Sequence, residues 1–293
     1  MINTKQLQCF LAVASELNFS RAAARMHMTQ PPLSRQIAQL EATMGVRLFE
    51  RSPQAVTITA SGRALVPEVQ KVLTSLGELR GIARRADQGQ IGRIRIGFVG
   101  STIYTAVPAL VGRYRRLYPE VSVDLQQLTV ARQTGLLLSH DIDVGIIRQA
   151  ISHPRLTTRR ISREPFLAAL PADHRFAAKS SVPIKNLAGE AMVVFSREEA
   201  PAIHEQLLQM CQAAGFSPRI VQEAHPMSTV VGLVGAGTGV AIVPKSMEML
   251  AFQNVTFRPL SGTRVTSDFF MVWRSEDTSP TIKNFLCIPP VPE

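Results

Sequence analysis

The stretch Ser20–Gly45, SRAAARMHMTQPPLSRQIAQLEATMG, decides how this 293-residue chain is read. It falls into two short helical segments around a turn. In the second segment Leu33, Ile37, Leu40 and Met44 recur at steps of four, three and four residues, which places them on one buried stripe of an α-helix. Pro31 and Pro32 suit a first helical turn, where a missing N–H has no partner to lose, and Thr29 or Gln30 stands before them at the cap position. The outward side then carries Pro31, Ser34, Arg35, Ala38, Gln39 and Ala42. Small alanines let such a face approach a surface closely while Ser, Arg and Gln reach hydrogen-bonding edges, which is what entry into a DNA major groove requires. A plainly solvated helix face is the competing reading. The preceding segment, with Ser20 expected as its cap and Ala22, Ala23 and Ala24 along it, is compact enough to cross behind the second. That favours a helix-turn-helix.

Upstream, Leu7, Phe10, Leu11, Val13, Ala14 and Leu17 form a helical apolar stripe that should pack beneath these two helices. Downstream, Arg47 to Arg51 and the alternating Val56-Thr57-Ile58-Thr59 flank a turn at Ser52-Pro53-Gln54 and read as a two-stranded ribbon. As a wing, this ribbon would bring Arg51 and Gln54 to phosphate or the minor groove; a plain hairpin is the alternative. From Thr59, a good N-cap, a helical pattern runs to about Arg85 with Leu65, Val69, Val72, Leu76, Leu79, Ala83 and Ala86 at heptad spacing and Pro67 bending its early part. A helix this long between two units is expected to pair with its copy, giving a homodimer or homotetramer. Two recognition helices on a two-fold axis demand an approximately palindromic site. Asp87 to Gly92 then makes a hinge.

The run FSRAAARMHMTQPPLSRQIAQLEATMGVRLFER, with both prolines, Ser34 and Arg35, the Leu40-Glu41 pair, Gly45 and the segment ending at Arg51, resembles the N-terminal signature of the LysR-type transcriptional regulators. The resemblance implies a double-stranded promoter DNA partner with an interrupted dyad, and RNA polymerase as a further candidate partner. The candidate DNA-contact residues are Ser20, Arg21, Thr29, Gln30, Pro31, Pro32, Ser34, Arg35, Gln39, Arg51 and Gln54.

Bulk properties agree with more than one compact unit and a polyanionic partner. Of the net charge of +10, half lies in Met1–Gln90, with 11 Lys and Arg against 6 Asp and Glu. Membrane surfaces and acidic proteins attract a basic unit too, so the helix pattern carries more weight than the charge. Cys9, Cys211 and Cys287 are odd in number, far apart and without a CxxC, which implies neither a disulfide framework nor a zinc site and gives a redox sensor little support. No export leader and no apolar run of spanning length is evident, so no membrane role and a cytoplasmic location are expected. An enzyme is disfavoured as well. Gly235, Gly237 and Gly239 follow a helix and precede a strand, the reverse of the order that puts phosphates on a helix start, and neither GxSxG nor HExxH occurs.

Beyond the hinge the pattern alternates. Strands are predicted at Ile94–Val99, Val121–Leu128 and Ile142–Ile147, with helices at Thr105–Tyr118 and Arg132–Leu138 between them, a βαβαβ unit on a parallel sheet. A second unit follows with strands Phe166–Leu170, Met192–Phe195, Arg219–Gln222 and Val240–Val243 and helices Ala202–Ala214 and Ser228–Val234; Phe269–Trp273 and Thr281–Leu286 return to the first lobe. This layout resembles the effector-binding half of LysR-type regulators, which is similar in fold to periplasmic solute-binding proteins. The expected fold class is α/β: a winged helix-turn-helix over residues 1–59, a linker helix and hinge over 60–90, and a two-lobed periplasmic-binding-protein-like effector domain over 91–293. Lobe I would take about 91–163 and 266–293, and lobe II about 164–265. A solute-binding protein without a regulatory role is the alternative function.

Ligands of open α/β sheets bind outside the carboxyl ends of the strands, here a cleft between lobes. Ser101 and Thr102 follow the first strand and open a helix, so hydroxyls and backbone N–H groups there could hold a carboxylate, or merely cap the helix. Thr129 follows the second strand. Arg148 follows the third and could grip a carboxylate in bidentate fashion or form a salt bridge between lobes. From lobe II, Phe195, Ser196, Pro201, His204 and Met227 are candidates, with core packing the competing role for Phe195 and a structural one for His204. No cofactor or metal is expected. The runs GFVGSTIY, VGIIR and VGAGTGVAIVP are most similar to the branch of the family that responds to benzoate, muconate and chlorinated muconates, which implies an aromatic or dicarboxylic acid effector and a role in aromatic catabolism.

Overall fold

A computed structural model of the chain describes residues 1–52 and 55–289. Two compact units result, Met1–Arg84 and Arg85–Glu293.

The first unit opens with α1 (Thr4–Glu16), whose start is fixed by a reciprocal capping box between Asn3 and Gln6. Helix α2 (Phe19–Arg25) begins two residues earlier than Ser20 would allow as a cap. Asn18, in an extended conformation, accepts from the backbone N–H groups of Ser20 and Arg21, so the capping oxygen belongs to Asn18 and Ser20 sits within the first turn. Helix α3 (Gln30–Met44) starts on Pro31 and Pro32 and stops at Gly45, whose φ of 70° is the left-handed conformation that glycine takes most readily. Strands β1 (Phe49–Arg51) and β2 (Val56–Ile58) pair antiparallel as a ribbon. Glu41 Oε1 accepts from the N–H groups of Leu48 and Phe49, which ties the ribbon's entry to α3. Helix α4 (Ala60–Asp87) follows, its first turn capped by Thr59 Oγ1 accepting from Gly62 N–H at 2.9 Å.

Phe10, Val13, Ala22, Leu33, Ile37, Leu40, Leu48 and Val69 form one core, so the three helices, the ribbon and the early part of α4 share a single apolar centre. The expected heptad seam therefore divides. Leu65 and Val69 are used within the unit, whereas Val72, Leu76 and Leu79, joined by Ile82, stay exposed in the single chain.

The second unit begins with β3 (Ile91–Phe98), then α5 (Ala106–Leu117), β4 (Glu120–Gln127), α6 (Val130–Leu138) and β5 (Val144–Ile147). β3 runs parallel to both β4 and β5. Strand β6 covers Leu156–Pro171; after it come β7 (Val182–Pro183), β8 (Ala191–Phe195), α7 (Pro201–Ala213), β9 (Arg219–Ala224), α8 (Met227–Gly235), β10 (Ala241–Pro244), β11 (Val255–Ser261), β12 (Thr266–Arg274) and α9 (Pro280–Leu286). β12 lies antiparallel between β5 and β6, so the sheet is mixed, and the parallel arrangement holds for β3, β4 and β5.

Strand β6 bridges the lobes. Along Leu156–Pro165, β6 pairs with β12, and from Phe166 to Pro171 it pairs with β10 and β11. The expectation of a short strand at Phe166–Leu170 thus caught only the half of β6 that is buried on both faces. Its first half, LTTRRISREP, is polar on the outer side and gains its place from the β12 ladder. β11 was likewise not foreseen. Around lobe I's core, Tyr114 Oη donates to the Thr281 carbonyl and its ring meets Phe285 edge-on, which secures α9 against α5. In lobe II, Phe166, Leu170, Val194 and Leu207 pack on one side of the strands and Leu167, Val193, Val230 and Val243 on the other. Asp143, at the entry to β5, is buried and accepts both Nε–H and Nη2–H of Arg95.

Candidate functional site

In the first unit the outward face of α3 is as its spacing predicts: Leu33, Ile37 and Leu40 are fully buried, and Pro31, Pro32, Arg35, Ala38, Gln39 and Ala42 are exposed with Ser34 half-buried. Arg35 has no hydrogen bond or ion pair among the described residues, so its guanidinium is available to an outside partner. Ser20 Oγ donates to Gln30 Oε1 at 2.9 Å, joining the starts of α2 and α3 on the exposed side. Thr29 precedes α3 in an extended conformation and makes no side-chain cap bond. Arg21 donates to the carbonyl of Glu16 at the end of α1, yet remains mostly exposed. The Arg51 guanidinium stacks over the Phe19 ring at 3.9 Å, which ties the turn end of β1 to α2. Gln54 lies outside the described residues.

In the second unit a cavity of about 220 Å³ opens between the lobes. Lobe I supplies Gly100, Ser101, Gln127, Thr129, Arg148 and Gln149; lobe II supplies Phe195, Glu199, Ile203, His225, Pro226 and Met227. Three helices begin at its walls, since Thr129, Ala200 and Pro226 are the residues before α6, α7 and α8. No side chain caps α7 or α8. First-turn N–H groups at a helix start lack internal partners and favour negative charge, so the cavity suits an anion held against apolar walls.

The structure places the predicted residues unevenly. Ser101, Thr129, Arg148, Phe195 and Met227 line the cavity. Thr102 does not: it is fully buried, and its Oγ1 donates to the Val99 carbonyl one turn back. His204 is buried with Nδ1 at 2.9 Å from the Phe195 carbonyl oxygen, which can only accept, so His204 holds the end of β8 rather than a ligand. Ser196 donates its N–H to the Ala224 carbonyl, and Pro201 starts α7; both stay off the cavity wall.

Arg148 is the largest departure. Its Nε donates to Ser101 Oγ at 2.7 Å, Nη1 to Glu164 Oε1 at 2.6 Å and to Ser267 Oγ at 2.8 Å, and Nη2 to Ser246 Oγ at 2.8 Å and the Ser101 carbonyl at 3.4 Å. All five N–H groups of the guanidinium are thereby engaged within the protein, and the group stacks on Phe269 at 4.2 Å. Burial pushes its pKa down while Glu164 opposes that shift. The bidentate grip on a ligand therefore gives way to the salt bridge reading: Arg148 joins the end of β5 to Glu164 of β6 and Ser267 of β12 and to Ser246 of lobe II. One consequence reaches the cavity. Ser101 Oγ accepts from Arg148, so its own hydrogen is left to donate into the cavity, and Arg148 acts as a positioning residue.

Gln127, Gln149, Glu199, Ile203, His225 and Pro226 were missed: Gln127 and Ile203 lie in predicted elements whose periodicity does not say which side chain faces a cavity, and the other four lie in connecting segments. Position alone could have found Gln149 and Gln127, one at the end of each strand beside a chosen residue. Among the described residues no group of three or more His, Cys, Asp or Glu is placed to hold a metal ion, and no helix is long and apolar enough to cross a membrane.

Comparison with known proteins decides the family. Residues 4–63 match the model of the bacterial regulatory helix-turn-helix protein, lysR family, and residues 87–287 match the LysR substrate binding domain. The chain is a LysR-type transcriptional regulator. It is 37% identical to the HTH-type transcriptional regulator AlsR of Bacillus subtilis (strain 168) over 284 residues, covering 97% of this chain and 94% of that protein. Full-length CbnR complexed with its target DNA is similar across 97% of each chain, with 28% identity and a TM-score of 0.87. The BenM effector binding domain with its effector benzoate is similar over 66% of this chain and 88% of that one, with 25% identity and a TM-score of 0.62. The regulator thus combines a DNA-binding helix-turn-helix with a two-lobed effector-binding half, and the solute-binding alternative finds no support. Its relatives include transcriptional regulators along nearly their whole length.

Proposed function

We propose that this LysR-type regulator senses a small organic acid, aromatic or dicarboxylic, bound in the cavity between its lobes, and that occupancy changes how its paired heads meet a promoter dyad. Residues 1–59 serve as the DNA-binding head, 60–90 as the pairing helix and hinge, and 91–293 as the effector half. The observation that carries the reading is the cavity itself. Ser101 and Thr129 hydroxyls and the starts of α6, α7 and α8 converge on a space walled by Phe195, Ile203 and Met227. A carboxylate on an apolar body matches both halves of that lining. BenM's benzoate adds support for an acid of that size.

For DNA, Ser34, Arg35 and Gln39 read bases while Ser20, Arg21, Thr29, Gln30 and Arg51 hold phosphate. The CbnR complex supports a DNA partner for this head. For assembly, the exposed Val72, Leu76, Leu79 and Ile82 of α4 support pairing with a second copy. RNA polymerase is a further proposed partner, and the cytoplasm the proposed location.

A ligand can shift a regulator only by binding its two arrangements unequally. The cavity lies beside the Arg148 network that joins the lobes, so occupancy acts on the lobe arrangement directly. A thermal-shift series with benzoate and muconate on the intact chain and on Ser101→Ala tests the assignment. An acid at about 100 times its dissociation constant should stabilise the intact chain by about 2.7 kcal/mol. The variant should need several-fold more acid for the same shift. Equal responses of both proteins would remove Ser101 from the site.

A further inference from the structure

The cavity has an unbalanced charge on one wall. Three side chains that can carry charge line it: Arg148, Glu199 and His225. Arg148 is matched by Glu164 at 2.6 Å and has no N–H left to give. Glu199 stands in the loop between β8 and α7 and has no hydrogen bond or ion pair among the described residues. Its neighbour Arg197 is turned elsewhere, its Nη2 donating to Glu205 at 2.7 Å and its backbone N–H to Glu223. The lobe I wall therefore offers donors, the Ser101 and Thr129 hydroxyls, whereas the lobe II wall offers the unpaired carboxylate of Glu199.

Those two walls ask for different ends of one ligand. A carboxylate fits against the Ser101 and Thr129 hydroxyls and the start of α6 on the lobe I wall. A second carboxylate reaching the lobe II wall would meet Glu199, an exposed carboxylate of like charge, and be repelled by it. A hydroxyl or ammonium there would instead donate to Glu199, a charge-assisted hydrogen bond.

We propose that the effector is a monocarboxylate carrying a hydrogen-bond donor, hydroxyl or ammonium, at its opposite end, and that Glu199 is the residue that selects it over dicarboxylates. The inference rests on the carboxylate reading of the cavity and narrows the two acid classes named for it to one.

The test is calorimetric titration of the full chain with matched aromatic acids that differ only in the far substituent: benzoate, hydroxybenzoate, (aminomethyl)benzoate and benzenedicarboxylate, each substituted acid in its meta and para isomers. The expected result is that the better hydroxy or aminomethyl isomer binds at least about tenfold more tightly than either dicarboxylate, because Glu199 accepts from the donor in the one case and repels a like charge in the other. In Glu199→Gln the gap should close to within about threefold, chiefly through a gain in dicarboxylate binding. Dicarboxylates binding the intact chain as tightly as the donor-bearing acids would overturn the inference while leaving the carboxylate site in place. So would an order unchanged by Glu199→Gln. Failure of every acid to bind either protein would remove the carboxylate reading itself, and this inference with it.

Discussion

The Arg148 guanidinium donates to Glu164 Oε1 at 2.6 Å, with both side chains almost wholly buried, and through this pair the end of β5 is joined to a strand shared by both lobes. Glu164 in turn accepts from the N–H and Oγ–H of Ser246. Removing one partner of such a pair leaves an uncompensated buried charge. Arg148→Met should therefore destabilise the effector half by about 3–5 kcal/mol, read as a fall in its melting temperature. Combining it with Glu164→Gln should recover part of that loss, because the orphaned charge goes too. Additive losses in the double variant would mean that the two residues are not coupled.

Gly62 and Gly135 are helical glycines with opposite expectations. A Cβ at Gly62 would meet the Leu48 carbonyl oxygen at 2.4 Å and Ile58 Cγ1 at 2.7 Å, whereas nothing lies within 4 Å of a Cβ at Gly135. Gly62→Ala should loosen the ribbon from α4 and cost more than about 1 kcal/mol, since backbone cannot yield there. Gly135→Ala, on an exposed turn of α6, should stabilise by about 0.5–1 kcal/mol. Chemical denaturation of the two variants gives the sign of each change directly.

Cysteine chemistry should separate the three thiols. Cys9 and Cys211 are buried and Cys287 is exposed; burial raises the Cys9 thiol and pushes Cys211 up to about 11. A thiol reagent at about neutral pH should thus modify Cys287 alone in the native protein and all three after denaturation, because only the thiolate reacts. The linkage follows from the direction of the shift. A folded pKa raised above the unfolded one contributes stability that is whole below the ordinary thiol value of 9.0 and is lost as pH climbs from there toward about 11. Alkaline melting should accordingly be steeper for the intact chain than for Cys211→Ala.

Arg35 should govern base selection. Arg35→Ala is expected to cost about 1–3 kcal/mol on the preferred duplex and far less on unrelated DNA, the signature of a bidentate base contact. Arg21→Ala should weaken both duplexes alike and reduce the salt dependence, as a phosphate contact does. Fluorescence anisotropy on the two duplexes distinguishes them. Equal losses for Arg35→Ala on both would make it a backbone contact.

The helices were legible in the sequence because their signals are local. The step pattern of Leu33, Ile37 and Leu40 named a buried stripe, and all three side chains are fully buried. Ser20 was read as the cap of α2 although Asn18 takes that position; both are good cap residues, and the extended backbone that decides between them is not visible in a string of letters. The first half of β6 was hidden by its charged outer face, which the β12 ladder compensates from more than a hundred residues away. The same distance hid the role of Arg148. Its place after a strand pointed to the cavity, but its donors are taken by Glu164, Ser246 and Ser267, which only the fold assembles. Thr102 shows the reverse: a hydroxyl in the right loop turned inward by a bond to a carbonyl three residues back.

The most direct test of the account is a nuclease footprint of the full-length protein on a duplex it has itself selected from a random pool, with and without an acid that stabilises it. An effector that acts through the lobe arrangement should leave the dyad bound but change the length or the spacing of the protected segments. The same acid should do so less in Ser101→Ala at equal concentration. Identical footprints with and without an acid that demonstrably fills the cavity would contradict the coupling between cavity and heads on which the account depends.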